Sequence, residues 1–321
     1  MKILIIGGTR LLGKRITEKL IDRGAHDIYV LSRKADMFKK GCHAIAEERM
    51  AGLEKLRGTF FDLVIDFIAY DKQQVAHATS VLEFSQYIFT SSCWMTKLNR
   101  KFAIDEFIDE VDEAALNTLP AVTQKYLINK QAAENFLRDN LPTGKFLVVR
   151  LPIFWGLNDH TKRLQFYISR LADDSGLIMV NGGENICQIG CVEDLAENLC
   201  NLYESTLRTS APILEALPTY NRTTRQIAGI IADAISASWT PIAITKEELE
   251  QKLPAYLAEE PLWREQVIAV SGNNIFSLLN TQDTPPEVWL RDVAKIEKQN
   301  ASASALRPQE IELIKTQSEI L

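Results

Sequence analysis

The N-terminal stretch passes from one hydrophobic pattern to another within a few residues. Residues 2–6 form a short run rich in β-branched and apolar side chains, which is typical of a strand buried on both faces of a parallel sheet. Gly7 and Gly8 end this run. From Leu11 onward apolar residues recur at helical spacing. The pattern predicts a strand, a glycine turn and a helix that stops at Gly24.

The same alternation continues to about residue 160. Further strands are predicted at 27–31, 42–46, 61–69, 86–90 and 146–150, and further helices at 49–56, 71–84 and 122–140. Repeated strand–helix alternation implies right-handed crossovers and therefore an α/β fold with a doubly wound parallel sheet of the Rossmann type. Asp66 interrupts one of the apolar runs. It is predicted to be structural, with its carboxylate bonded by backbone N–H groups of nearby loops.

The alternation weakens after residue 160. Helices are predicted at 162–171, 192–203 and 224–236, joined by strand-like pieces at 177–180 and 186–191. We therefore expect a dinucleotide-binding domain over 1–160 and a smaller mixed α/β lobe for substrate over 161–321, with some later segments returning to the first domain. The polar, acidic stretch 97–120 is predicted to be a surface excursion or a lid. Residues from 302 onward are predicted to form a partly loose tail.

Composition narrows the class of protein. The chain has 321 residues, of which 46% are hydrophobic and 24% charged, as in a globular protein with a large core. A net charge of −6 without a basic run disfavours nucleic acid as a partner. No apolar run is long enough to span a membrane, and a strand that starts at residue 2 leaves no room for a signal peptide. Five cysteines without a CxxC pair and four histidines without metal-ligand spacing favour reduced thiols, no metal and a cytoplasmic location over a disulfide or zinc site.

The glycine turn and the end of the second strand indicate a dinucleotide site. A helix N-terminus directly after a glycine turn suits a pyrophosphate. NAD-binding proteins usually hold the ribose 2′-hydroxyl with a carboxylate after the second strand, whereas here Ser32, Arg33 and Lys34 follow it. Together with Arg10 these cations favour the 2′-phosphate of NADP over NAD. The alternative is that Arg33 and Lys34 belong to a solvated loop.

Tyr126 and Lys130 lie four residues apart on a predicted helix and therefore share one face. A nearby ammonium favours the phenolate and lowers the pKa of a tyrosine from about 10. Such a tyrosine can exchange a proton with a carbonyl or an alcohol. Ser92, at the end of a predicted strand, could polarise the same oxygen, and hydride transfer to or from nicotinamide needs this partnership. The alternative is a surface lysine beside a packed tyrosine.

These motifs resemble the extended or atypical short-chain dehydrogenases/reductases of the NAD-dependent epimerase/dehydratase type. The resemblance covers residues 2–203 and rests on 7–13, 62–69, 87–92, 126–130, 150–156 and 194–196. It implies that Tyr126 is the acid/base, that Ser92 is its partner on the substrate oxygen, and that Lys130 also holds the nicotinamide ribose. The predicted cofactor-binding residues are Gly7, Thr9, Arg10, Leu11, Leu12, Gly13, Ser32, Arg33, Lys34, Phe67, Ile68, Ala69, Ser91, Tyr126, Lys130, Leu151, Pro152 and Ile153.

One residue departs from the family pattern, since extended members usually have a glycine where Arg10 stands. The start Gly7-Gly8-Thr9-Arg10 is similar to an atypical branch that includes sugar-nucleotide-epimerase-like proteins and chloroplast RNA-binding relatives. We therefore predict an NADP-dependent oxidoreductase, a reductase or an epimerase, that acts on a hydroxyl or keto carbon of a small polar metabolite. The alternative is a non-catalytic cofactor-binding regulator or an RNA-associated protein on the same fold. The family resemblance is also compatible with a homodimer.

The residues that could contact the substrate are predicted only from their positions relative to the predicted strands and helices. Cys93, Trp94 and Trp155 follow the fifth and sixth strands and could line a pocket, with ordinary packing as the alternative. Arg163 could meet an anionic substrate or lie on a helix surface. Gln188 lies where related proteins approach their substrate.

Overall fold

The computed structural model describes residues 1–38, 40–98, 107–117, 119–205, 211–263, 274–302 and 304–318. The strands are β1 Lys2–Ile6, β2 Asp27–Leu31, β3 His43–Ile45, β4 Phe60–Asp66, β5 Glu83–Ser92, β6 Phe146–Leu151, β7 Ile153–Trp155, β8 Leu177–Val180, β9 Ile186–Cys187, β10 Ile189–Cys191, β11 Ile213–Glu215, β12 Arg222–Thr223 and β13 Pro241–Ile244. The helices are α1 Leu11–Arg23, α2 Arg49–Lys55, α3 Lys72–Val81, α4 Glu113–Asn117, α5 Ala121–Asn140, α6 Arg163–Leu171, α7 Val192–Glu204, α8 Thr224–Ile235, α9 Lys246–Lys252, α10 Pro254–Glu259, α11 Ile275–Leu278, α12 Pro286–Glu297 and α13 Arg307–Ser318.

The chain divides into two units. The first contains the described residues of Met1–Pro152, Val192–Leu217 and Ala269–Gln282, and the second those of Ile153–Cys191, Pro218–Ile268 and Asp283–Leu321. The structural division thus follows Pro152, ahead of the boundary expected at residue 160, and two later segments belong to the first unit.

The first unit is built on a seven-stranded sheet in the order β11-β6-β5-β4-β1-β2-β3. Each adjacent pair of these strands is parallel. The order reverses between β1 and β4, which is the point in such sheets where ligands bind beyond the carboxyl ends of the strands. The α/β fold with a doubly wound parallel sheet is therefore confirmed.

Local patterns explain most boundaries in this unit. Ile3 to Ile6 are fully buried, as expected for a central strand with helices on both faces. The helix α1 ends at Gly24, whose φ of 66° is left-handed and whose N–H donates to Ile21 O, so the predicted stop is confirmed. The helix α3 ends at Val81 and not at Phe84, because Phe84 pairs with Phe61 in the sheet.

The helix α5 spans 20 residues and carries both members of the predicted tyrosine–lysine pair. One face of α5 is buried and includes Leu127, Lys130, Ala133, Glu134 and Leu137. This helix contains only short runs of apolar residues. In the ranges that the structure describes, no helix is both long and apolar enough to cross a membrane.

The stretch 97–120 is only partly a surface excursion. Ile108 is buried, and its carbonyl oxygen accepts hydrogen bonds from Gln131 Nε2 at 2.7 Å and Asn135 Nδ2 at 3.0 Å, both on α5. These contacts bind one part of the stretch to the helix. Residues 99–106 and 118, which the predicted lid includes, lie outside the described residues.

The second unit contains three two-stranded sheets, of which β8–β13 and β7–β10 are parallel and β9–β12 is antiparallel. The mixed α/β character of the C-terminal region is thus confirmed. Thr223 and Gln226 form a reciprocal capping box that starts α8. The predicted strand at 177–180 is β8, whereas the stretch 186–191 is divided between β9 and β10.

The prediction of a loose tail from residue 302 is wrong for the helix α13. Arg307 donates to Asp173 at 2.6 Å, and Arg170 binds Glu310, whose side chain is fully buried. Both ion pairs join residues more than a hundred positions apart in sequence. Two of the polar residues of the tail, Arg307 and Glu310, thus belong to buried charge pairs, whereas others on the same helix, such as Glu312 and Lys315, are exposed.

Candidate active site

The turn after β1 is shaped by two glycines. Gly7 has a φ of +88°, and a Cβ atom at this position would lie 2.4 Å from Cγ2 of Ile68. A Cβ atom on Gly13 would lie 3.0 Å from the carbonyl oxygen of Gly7. Both positions therefore favour glycine, Gly7 for its left-handed backbone and Gly13 for the close approach of α1 to the turn.

The N-terminus of α1 is open. Its N-cap residue Arg10 has an extended backbone and makes no side-chain capping hydrogen bond, and no acidic residue lies in the first turn. The first N–H groups of a helix need partners from outside the helix, and they attract anions. This end of α1 therefore presents donors and a positive dipole beside the glycine turn.

Hydroxyl groups and cations occupy the region after β2. The side chains of Thr9 and Ser32 are hydrogen-bonded to each other at 2.7 Å, which connects the glycine turn to the end of β2. Arg10, Arg33 and Lys34 are exposed. Arg33 lies 3.5 Å from Glu48, and because both side chains are about 70% exposed this ion pair is weak.

Lys130 lies at the carboxyl ends of the central strands. Its Nζ donates to Ala69 O at 2.8 Å and to Thr90 O at 2.7 Å. An ammonium has three N–H donors, and within the described ranges no residue accepts the third. Nζ also lies 5.9 Å from the ring centre of Tyr126. The predicted tyrosine–lysine pair therefore faces the end of the sheet where ligands bind.

Burial changes the acidity of this lysine. The Lys130 side chain is 3% exposed, and desolvation of the ammonium is the main reason that its pKa falls from 10.5 to about 8. The carboxylates of Asp66 and Glu134 act in the opposite direction, and the guanidinium of Arg49 acts with burial. Near neutral pH the ammonium form still predominates.

Tyr126 and Ser92 belong to one neighbourhood. The half-buried Tyr126 packs against the apolar cluster of Met95, Ile108 and Leu127, to which Trp94 also contributes. The backbone N–H of Trp94 donates to Ser92 Oγ at 3.2 Å. The structure thus brings three predicted residues, Ser92, Trp94 and Tyr126, to the same corner of the first unit.

Asp66 is the last residue of β4 and is fully buried. Its carboxylate accepts hydrogen bonds from the backbone N–H groups of Ile68 and Ala69 at 3.1 and 3.0 Å, as predicted. The guanidinium of Arg49 binds both carboxylate oxygens, and the Tyr87 hydroxyl donates to one of them. Sequence reasoning missed these two partners, because neither is close to Asp66 in the chain.

A second buried ion pair lies under the helix α5. Arg150 donates to Glu134 at 2.6 Å, and both side chains are essentially inaccessible to solvent. Glu134 lies one turn beyond Lys130, so Tyr126, Lys130 and Glu134 follow one another on one face of α5. The spacing of four residues was the signal in the sequence that could have identified this third position.

The loop and strand ends around Lys130 contain several predicted cofactor residues. Phe67, Ile68 and Ala69 follow Asp66, and Ala69 supplies one of the lysine's acceptors. Ser91 is 5% exposed, and its buried Oγ has no hydrogen-bond partner in the part of the chain that the structure describes. In the sheet, Leu151 pairs with Ser92.

The predicted substrate residues are distributed between the two units. In the first unit, Cys93 is buried against Leu217, and its Sγ lies 3.3 Å from Arg150 O. In the second unit, Trp155 is fully buried with its ring 6.0 Å from that of Tyr167, and the Gln188 amide donates to Pro218 O at 3.3 Å.

For the remaining predicted site residues the structure gives a position, and their roles stay predictions. Arg163 is the first residue of α6 in the second unit. Pro152 ends the first unit and Ile153 begins the second. Leu11 and Leu12 open α1, where Leu12 is buried.

Three of the histidines are paired with carboxylates. His26, His43 and His77 each bind a carboxylate, of Glu204, Asp27 and Glu54 respectively. Over the described ranges no group of three histidine, cysteine or acidic side chains is arranged to hold a metal ion.

Comparisons with known proteins bear on the fold. Residues 2–86 match the model of the KR domain family. The fold is similar to that of dTDP-glucose 4,6-dehydratase from Bacillus anthracis in complex with NAD, with a TM-score of 0.66 at 12% identity over 94% of this chain and 97% of the other. It is also similar to UDP-glucuronic acid 4-epimerase from Bacillus cereus in complex with UDP-glucuronic acid and NAD, with a TM-score of 0.65 at 14% identity over 93% and 98%. No curated protein matches the chain in sequence.

Proposed function

Because the chain has the fold of the NAD-dependent epimerases and dehydratases of the extended short-chain dehydrogenase/reductase family, we propose that it is an NADP-dependent oxidoreductase. It would act, as a reductase or an epimerase, on a hydroxyl or keto carbon of a small polar substrate. One observation carries the proposal. Lys130 is buried at the carboxyl ends of β4 and β5, beside Tyr126, with two N–H groups bonded to backbone carbonyls and a third left for a ligand.

The residues present fit a dinucleotide. The turn between Gly7 and Gly13 and the open end of α1 would receive the pyrophosphate, since they combine free N–H groups with a close backbone approach. The third N–H of Lys130 would donate to the nicotinamide ribose. The buried Ser91 hydroxyl, which lacks a partner among described residues, would find one on the same half of the cofactor.

The preference for NADP rests on the residues after β2. Thr9 and Ser32 form a neutral hydroxyl pair where NAD-binding proteins usually place a carboxylate. Arg10 and Arg33, which follow Thr9 and Ser32 in the chain, are exposed cations, and guanidinium groups bind phosphate strongly through paired donors. The weak contact between Arg33 and Glu48 would yield to a 2′-phosphate.

The chain's own side chains would then manage the proton. When bound, the nicotinamide supplies or accepts the hydride. In reduction, the Tyr126 hydroxyl donates its proton to the substrate carbonyl oxygen, which receives the electron pair of the C=O bond as the hydride reaches carbon. The Ser92 hydroxyl donates a hydrogen bond to that oxygen and stabilises its developing charge. The Lys130 ammonium stabilises the phenolate that remains until solvent returns a proton.

Turnover of a carbonyl panel with NADPH tests the proposal, with Tyr126→Phe as the decisive variant. Loss of the phenol should lower the rate by about 10²–10⁴-fold, the usual contribution of a general acid, while NADPH affinity stays near that of the wild type. Lys125→Met, a change on an exposed position of the same helix, is the control. If the wild-type protein binds NADPH but turns over no carbonyl or alcohol, the proposed enzymatic activity is wrong. The protein would then be the non-catalytic cofactor-binding regulator.

A further inference from the structure

Asp66 accepts hydrogen bonds through both its side chain and its main chain. Five donors surround that carboxylate: two from Arg49, one from Tyr87, and the backbone N–H groups of Ile68 and Ala69. At the same time the backbone carbonyl of Asp66 accepts a hydrogen bond from Thr90 Oγ1 at 2.9 Å. One fully buried residue is thus bonded both to the loop after β4 and to the neighbouring strand β5.

Those two segments are the ones that bind Lys130. Its acceptors are Ala69 O and Thr90 O, at 2.8 and 2.7 Å. Asp66 binds the N–H of Ala69 through its side chain and the hydroxyl of Thr90 through its main chain. Each acceptor of the lysine therefore belongs to a residue that Asp66 fixes, so the position of the ammonium depends on Asp66 through two separate hydrogen-bonded routes.

The charges around Lys130 come from several elements. Asp66 on β4 and Glu134 on α5 favour the ammonium, and Arg49 on α2 opposes it. The rings of Phe89, Tyr70 and Tyr126 lie 4.5, 5.3 and 5.9 Å from Nζ, and the Tyr87 hydroxyl donates to the Asp66 carboxylate. Asp66 is the largest of the influences that keep this buried ammonium charged.

We propose that Asp66 is a positioning residue for Lys130: with Arg49 it fixes the two peptide segments that hold the lysine, and its charge keeps the lysine in the ammonium form. The consequence for the nicotinamide half of the cofactor rests on the proposed function. The consequence for Lys130 itself does not, so the two parts can fail separately.

The direct test is an NMR titration of Lys130 in lysine-13Cε-labelled protein, with its resonance assigned by its loss in Lys130→Met. In the wild type the midpoint should lie at about 8. In Asp66→Asn the anion is lost while Arg49 remains, so the proton dissociation constant should increase about tenfold or more. Asp62→Asn is the matched control. Asp62 lies on the same strand but toward the opposite end from Asp66, where its carboxylate accepts a hydrogen bond from the backbone N–H of Lys2.

A binding measurement tests the consequence for the nicotinamide half of the cofactor. Asp66→Asn should weaken NADPH binding at least about tenfold, as Lys130→Met does, because one hydrogen bond to a charged group contributes a factor of about ten or more. Adenosine 2′,5′-bisphosphate, which lacks the nicotinamide half, should bind both variants as it binds the wild type. If Asp66→Asn does not fold, Arg49→Gln/Asp66→Asn removes both charges together and should give the same pattern with a smaller shift of the midpoint.

The outcomes decide each part. An unchanged Lys130 midpoint in a folded Asp66 variant overturns the proposal. A shifted midpoint with unchanged NADPH affinity overturns the role toward the cofactor. If the wild-type protein does not bind NADPH, the proposed function fails, and the midpoint alone still decides whether Asp66 controls Lys130.

Discussion

Replacing Lys130 by methionine should change how stability depends on pH. The pKa of Lys130 falls from 10.5 to about 8 on folding, chiefly because burial disfavours the ammonium. Between these two values the unfolded chain binds more protons than the folded protein, so the free energy of unfolding rises with pH. One pKa unit corresponds to about 1.4 kcal/mol, so the wild type should gain about 3 kcal/mol between pH 7 and 10.5 from this group alone. Methionine has no proton to lose and removes this gain.

Urea denaturation followed by tryptophan fluorescence, at pH steps from 7 to 10.5, measures the effect. Other titrating groups are common to both proteins, so the difference between the two unfolding free energies isolates Lys130. That difference should move by about 3 kcal/mol in favour of the wild type as pH rises. In contrast, Lys125→Met, at an exposed position of the same helix, should follow the wild type throughout. Parallel curves for Lys130→Met and the wild type would refute the depressed pKa.

Two further substitutions test the framework of the site. Glu134→Gln should lower the free energy of unfolding by about 3 kcal/mol in urea denaturation, because it removes the carboxylate bonded to the buried Arg150, and a loss below about 1 kcal/mol would contradict this. Gly7→Ala should abolish tight NADPH binding and lower the free energy of unfolding by about 2 kcal/mol or more. The new methyl group would lie 2.4 Å from Ile68, and residue 7 has a φ of +88°. Gly58→Ala, also at positive φ but with open space around the new Cβ, gives the cost of backbone strain alone, so equal costs for the two variants would exclude the clash.

The parts of the site that could be predicted from sequence are the local ones. The turn between Gly7 and Gly13 joins a strand and a helix that are adjacent in the chain, and the four-residue spacing of Tyr126 and Lys130 places them on one helical face. The pattern of buried strands alternating with helices also predicts a parallel sheet, in which the carboxyl ends of the strands lie at the same edge. These features depend on short-range geometry, which the sequence pattern expresses directly.

The rest depends on contacts between distant residues. Nothing near Asp66 in the chain predicts Arg49 or Tyr87 as its partners, and the acceptors of Lys130 become visible only when β4 and β5 lie side by side. The helix α13 was missed for the same reason. Its polar residues appear solvated in sequence, whereas Glu310 is buried against Arg170, 140 positions away.

The most direct measurement is a comparison of NADPH and NADH binding to the wild type and to the Arg10→Ala/Arg33→Ala variant. We expect the wild type to bind NADPH more tightly than NADH and the variant to lose at least about tenfold of this preference, since one charge-assisted hydrogen bond is worth about 1.5 kcal/mol. Arg57→Ala/Arg291→Ala removes two exposed arginines elsewhere and should leave the preference unchanged. Equal affinity for the two nucleotides would contradict the NADP assignment, and binding of neither would contradict the oxidoreductase itself.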